Sequence, residues 1–245
     1  MMLKRAPLIT PRYWGAIMLA SMCGTNLGDF FPDVLKMDLR VELVLLPMVF
    51  AGVVAIDKFF PCGLEASYWL TILVVRATAT AIADYCTSIK QFDPKAVCLS
   101  LTALMAVALL VEKSAESSEI SRMGASAIRR HKPLAGLHYW TTMLIAGILG
   151  TVMGDGIGHA FSNPEIGFPL SAVLATVAMA GMFAIRARLK WRLGTSYWIA
   201  IVAVRWWGTN AGDIFKYLTS LPFSMAITAA AMTALLYLVP NQQNA

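Results

Sequence analysis

The chain is short of charge. Of its 245 residues, 14% are Asp, Glu, Lys or Arg and 58% are hydrophobic, where a soluble domain carries about 25% charged and ~45–50% apolar residues. With a mean hydropathy of +0.65, that deficit argues for a membrane protein. Histidine is scarce, at three residues, and the four cysteines (Cys23, Cys62, Cys86, Cys98) are scattered. Their spacing fits neither a disulfide framework nor a zinc site, and they read as small buried hydrophobes. There is no nucleophile–base pair, no glycine-rich phosphate loop and no soluble accessory domain, which counts against an enzyme. The flank "MMLKRAPLITPR" is basic, but no small-residue cleavage site follows its first apolar stretch, so it is not read as a removed leader.

What the sequence has is long apolar stretches, at about 13–31, 41–56, 66–88, 96–111, 138–161, 166–185, 196–219 and 222–239. At ~1.5 Å per helical residue each crosses, or nearly crosses, a ~30 Å hydrocarbon core. The expected fold is an all-α membrane protein of eight transmembrane helices. With a cytoplasmic N-terminus, one side holds Lys4, Arg5, Arg12, Lys58, Lys113, Arg122, Arg129, Arg130, Lys132, Arg186, Arg188, Lys190 and Arg192. The other holds Lys36, Arg40, Lys90, Lys95 and Lys216. This asymmetry places both termini inside. It also accounts for the net charge of +6 without a nucleic-acid partner.

The chain repeats itself. "YW" recurs at Tyr13, Tyr68, Tyr139 and Tyr197. Twelve residues after each Tyr stands a Thr (Thr25, Thr80, Thr151, Thr209), and sixteen after it an Asp (Asp29, Asp84, Asp155, Asp213). Gly or Ala precedes each Thr and each Asp. Five positions agreeing in four places without a gap mark a repeat. Each unit pairs one motif helix with a plainer one, so successive units enter from the same side and are parallel repeats about the membrane normal. A pseudo-fourfold or nested twofold bundle follows, with the motif helices inside and the plain helices (40–57, 94–111, 166–185, 222–239) outside. Eight residues after the Tyr come Ser21, Arg76, Gly147 and Arg205, which divides the chain into two similar halves, 1–111 and 137–245. The charged segment 112–136 between them reads as a cytoplasmic linker, partly helical, with partner binding as the alternative.

Thr and Asp four apart share a helix face. Each motif helix therefore carries a polar seam, and a central Asp or Arg facing lipid costs ~2.5–3.5 kcal/mol, so the seams face one another or water. Tyr-Trp is expected at the cytoplasmic interface, as amphipathic rings prefer. The Asp then lies about 24 Å further along, in the outer half of the membrane, and the Arg about 12 Å along, near the midplane. One reading makes each Asp a helix cap or packing bond. The other makes the four a cation site, in which Arg76 and Arg205 neutralise two carboxylates and a divalent cation or two protons neutralise the rest. Asp29/Asp33 and Asp155/His159 are i, i+4 pairs that add to the candidate ligands; oxygen donors with one imidazole suit Mn²⁺ or Mg²⁺. The threonines would add a second oxygen layer along a substrate pathway. Arg76 and Arg205 would balance charge or gate, unless they only lock Asp84 and Asp213.

The "YW…GT-x-x-GD" arrangement, with "TATAIADY" in the second unit and "RWWGTNAGD" in the fourth, resembles a family of bacterial inner-membrane proteins usually labelled "membrane-anchored protein" or "hypothetical membrane protein". The resemblance covers nearly the whole chain. It implies an eight-helix architecture in the bacterial inner membrane and implies no activity and no site residues. The long charged linker departs from the family's pattern. The expected function is a transporter of small cations, above all a divalent metal as substrate, with no resident cofactor, lipid as the surrounding partner and an oligomer permitted but not required. The alternatives are a transporter or receptor for an organic amine or zwitterion, lined by Trp206, Trp207, Phe30 and Phe31, and a non-transporting assembly or sensor protein.

Overall fold

A long apolar segment satisfies its own peptide groups only by coiling into a helix, and the apolar stretches correspond to helices in the computed structural model. The structure describes residues 7, 9–59, 64–123, 136–161, 163–189 and 193–239. The basic flank through residue 6, Cys62, linker residues 124–135, and Lys190 and Arg192 lie outside the described residues. Among the described residues the order is α1 (Pro11–Asp33), α2 (Leu39–Phe59), α3 (Leu64–Asp84), a π-helical turn (Tyr85–Ile89), α4 (Pro94–Met123), α5 (Leu137–Gly158), α6 (Pro164–Leu189), α7 (Leu193–Leu218) and α8 (Leu221–Leu238), with no strand. Five of these helical segments are long and apolar enough to cross a membrane: 65–89, 94–111, 137–158, 165–185 and 221–238.

Local chemistry starts and stops the helices where loops are needed. Thr10 Oγ1 accepts from the Tyr13 amide at the start of α1. Asp38, Asp93 and Asn163 each accept a backbone N–H two residues on, at the starts of α2, α4 and α6, as N-terminal Asx residues do. The turns before α2 and α4 each contain one left-handed non-glycine residue, Lys36 and Gln91. Helix α4 runs on past residue 111 to Met123, so the front of the charged linker is helical backbone.

Helices α1, α3, α5 and α7 form a closed ring, each packed on the next and α7 on α1. The remaining helices lie outside it: α2 on α3, α4 on α5, α6 on α7 and α5, α8 on α1. Burial follows: the apolar spans of α3 and α5 are mostly buried, whereas those of α4, α6 and α8 are mostly exposed. The outer helices thus offer an apolar surface of the kind lipid solvates.

Small residues set the spacing of the ring. A Cβ added to Gly24 would stand 2.6 Å from Cβ of Arg76, one on Gly147 2.7 Å from Cβ of Ala79, one on Gly150 2.5 Å from Cβ of Arg205, and one on Gly208 2.4 Å from Cβ of Ser21. These contacts run α1 to α3, α5 to α3, α5 to α7 and α7 to α1. The pairs Gly24/Gly28, Gly150/Gly154 and Gly208/Gly212 have the small-xxx-small spacing that lets backbones approach closely. Close approach brings four helix seams to one axis.

Candidate functional site: an acidic vestibule above an arginine plug

At one end of the axis the four repeat tyrosines meet. Their hydroxyls form a closed cycle: Tyr13 to Tyr68 at 3.0 Å, Tyr68 to Tyr139 at 2.6 Å, Tyr139 to Tyr197 at 2.9 Å and Tyr197 to Tyr13 at 2.6 Å. All four residues are buried, as are Trp69 and Trp198 beside them. Their side chains face the axis of the ring. The rings turn inward because each hydroxyl, buried among apolar helices, finds its partners only in the other three.

Two turns further along stands Arg76, wholly buried. Its Nη1 donates to Oγ1 of Thr80 (3.2 Å) and Thr151 (2.6 Å), and its Nη2 to Oγ1 of Thr25 and Thr209 (2.6 Å each). Every one of these hydroxyls also donates to the carbonyl four residues back, on Ser21, Arg76, Gly147 and Arg205. The hydroxyl proton is thus committed to the helix, and the lone pairs are left for the guanidinium. One planar fork with its donors fixed in place satisfies four acceptors from four helices.

Arg205, also wholly buried, finds far less. Its Nη2 lies 3.3 Å from the Met143 sulfur, and its Nε and Nη1 have no partner. Neither arginine reaches a carboxylate, and the expected pairing with Asp84 and Asp213 is not observed. The reason is axial distance: an Asp eight residues beyond an Arg lies about 12 Å along the helix, while the threonines are one turn away.

Beyond the threonines the four aspartates line a cavity of about 650 Å³ together with Thr25, Thr80, Thr151 and Thr209, His159, Glu165, Phe168, Pro169, Ile214, Lys216, Tyr217 and Leu218. Glu165 and Tyr217, hydrogen-bonded at 2.9 Å across α6 and α7, are exposed at its mouth. The cation in this layer is Lys216, whose Nζ lies 2.6 Å from Asp29 and 2.8 Å from Asp213. Asp84 and Asp155 have no hydrogen bond or ion pair to a side chain in the same cavity. The sequence alone groups Lys216 with the outer loop charges. Its position three residues after Asp213, inside an apolar stretch, is the signal that marks it.

The six candidate metal ligands do not all share one cavity. Asp29, Asp84, Asp155, Asp213 and His159 share the first cavity, but Asp33 lines a second one, of about 590 Å³, with Pro32, Asp38, Leu39, Arg40, Asp84, Ser88 and Ile89. His159 turns its Nδ1 to the Asp155 carbonyl at 2.9 Å and sets its ring edge-on to Phe168. Among the described residues no group of three or more His, Cys, Asp or Glu side chains is arranged to hold a metal ion. The aromatic lining also differs from expectation. Phe168 and Tyr217 supply it, while Trp206 is buried and donates from Nε1 to Ser171 at 2.9 Å, and Phe30 packs edge-on to Phe31. Sequence reasoning also passed over Glu42 on α2, which is wholly buried with neither carboxylate oxygen partnered. An acidic residue inside the apolar stretch 41–56 was the available signal.

No protein-family model matches the chain, nor does any curated protein or any solved structure.

Proposed function

We propose that the protein is an eight-helix membrane transporter that receives a small cation in the acidic vestibule and holds the way beyond it shut. The observation that carries this reading is the cavity of about 650 Å³ with four aspartates, Glu165 and one lysine in its walls, ending on the Arg76–threonine plug. Carboxylates outnumber the internal ammonium, so the vestibule keeps a negative balance that attracts cations. Its reach from helix ends to mid-helix is the geometry in which repeat-built transporters place substrate.

In this reading the chain consists of four parallel two-helix repeats in two halves, 1–111 and 137–245, joined by the linker 112–136. The tyrosine end faces the cytoplasm and the vestibule faces outward, in a bacterial inner membrane, following the distribution of Lys and Arg. Transport requires the plug to part, by rocking of one half against the other. The size of the cavity and the splitting of the candidate ligands favour a small organic cation over the divalent metal expected from sequence.

The experiment is a flux and binding assay on the full chain in proteoliposomes, with alkylamines, amino acids, Mg²⁺ and Mn²⁺ offered from the vestibule side. Saturable uptake of at least one cation is expected. If every cation tested shows neither saturable binding nor uptake above protein-free vesicles, the reading is wrong.

A further inference from the structure

The aspartate layer consists of two pairs in different states. Asp213 of α7 and Asp29 of α1 clasp the ammonium of Lys216 at 2.8 and 2.6 Å. Asp84 of α3 and Asp155 of α5 occupy the same positions of their repeats on the other two ring helices, which pack on each other. Exchanging the two halves of the chain carries the first pair onto the second: Asp213 corresponds to Asp84 and Asp29 to Asp155. The residue corresponding to Lys216, three after Asp84, is Thr87. Thr87 lies in the π-helical turn and donates its hydroxyl to the Ala83 carbonyl at 3.0 Å, so it brings no charge to the second pair.

We infer that Asp84 and Asp155 form the binding site for one primary ammonium group of the substrate, and that Lys216 is a tethered copy of that ligand in the twin site. This rests on the cation reading above and specifies the chemistry of its substrate. The bound Lys216 shows that such an aspartate pair accepts an alkylammonium with two short charge-assisted hydrogen bonds, near the ordinary 2.7–2.9 Å range. The walls of the same cavity include Phe168, Pro169, Ile214 and Leu218, apolar surface for a carbon skeleton. A primary ammonium has three N–H donors and can serve two carboxylates at once; a quaternary ammonium has none. Lys216, Arg76 and Arg205 set three fixed positive charges on the ring helices against the four aspartates, so a monocation completes the balance, whereas a dication exceeds it and meets the ammonium of Lys216.

The test is calorimetric titration of the purified full chain in detergent with n-butylammonium, tetramethylammonium and Mg²⁺, each alone, with circular dichroism and thermal unfolding to certify the fold. Wild type is expected to bind one equivalent of n-butylammonium and to bind tetramethylammonium at least about tenfold more weakly. Asp84→Asn and Asp155→Asn are each expected to weaken n-butylammonium binding by about tenfold or more. If either fails to fold, Thr87→Lys replaces it: a second tethered ammonium should abolish binding, and unchanged binding overturns the inference. Equal binding of the quaternary cation overturns it, as does indifference to Asp84→Asn and Asp155→Asn. If Mg²⁺ binds in an Asp84- and Asp155-dependent way and no amine does, the ammonium assignment falls while the cation vestibule stands. If no cation binds, both fall.

Discussion

Arg76 and Arg205 each stand eight residues after a repeat tyrosine, each is wholly buried, and each packs on a glycine of the preceding ring helix, Gly24 and Gly150 respectively. One donates to four threonine hydroxyls; the other touches a methionine sulfur and leaves two nitrogens without partners. Equal positions in a repeat therefore do not give equal environments. The axis has one slot at the threonine layer, and four acceptors already fill both terminal nitrogens of the guanidinium that holds it. The second arginine is left with a charge that nothing within hydrogen-bonding reach compensates, a situation that is costly in a low-dielectric interior. Near-symmetry breaks wherever copies of a residue compete for a place on the axis, and Lys216 breaks it again among the aspartates.

Six substitutions test that contrast, read as changes in unfolding free energy in detergent. Arg76→Met should cost most. It removes four hydrogen bonds at ~0.6–1.7 kcal/mol each in a membrane interior, or about 2–7 kcal/mol in all. Arg76→Lys should not rescue it, because a single ammonium cannot fork to four hydroxyls. Next come the glycine seats. Gly150→Ala should cost about 1–3 kcal/mol and more than Gly24→Ala. Its new methyl would meet backbone, the Trp206 nitrogen at 2.7 Å, whereas at Gly24 the nearest atoms are Arg76 side-chain carbons at 2.6 Å. Thr209→Val should cost about 0.6–1.7 kcal/mol in wild type and close to nothing in the Arg76→Met background, so a double-mutant cycle isolates the Arg76–Thr209 bond. Arg205→Met should have the smallest effect, from no change to a gain of about 1 kcal/mol, since an apolar residue in place of an unpaired buried charge is often neutral or stabilising. A loss at Arg205 as large as that at Arg76 would erase the contrast.

The helices were legible in the sequence because apolar length is a strong signal. The stretch 13–31 became Pro11–Asp33 and 222–239 became Leu221–Leu238. Polarity in the seams correctly sent the motif helices inward. The partners of the polar groups were not legible. Spacing places Thr25 and Asp29 on a common face, but it gives no axial distance between side chains of different helices, so Arg76 was assigned to a carboxylate two turns away and not to four hydroxyls one turn away. Lys216 looked like a loop charge because position +19 matches Pro32, Thr87 and Gly158 in the other units; a repeat directs attention to what recurs, and this lysine does not. The tyrosines were read by their usual habit at membrane interfaces, and their cycle exists only once four helices close on one axis.

That cycle has a consequence for protons. Each of the four hydroxyls has one hydrogen, and four bonds close the ring, so every hydrogen is spent sideways, from one helix to its neighbour. A proton wire needs donors and acceptors in file along the direction of travel. Here the file is turned at right angles to the axis, and reversing the sense of the ring returns the same arrangement. The tyrosine ring thus closes its end of the bundle without laying a line of donors and acceptors along the axis.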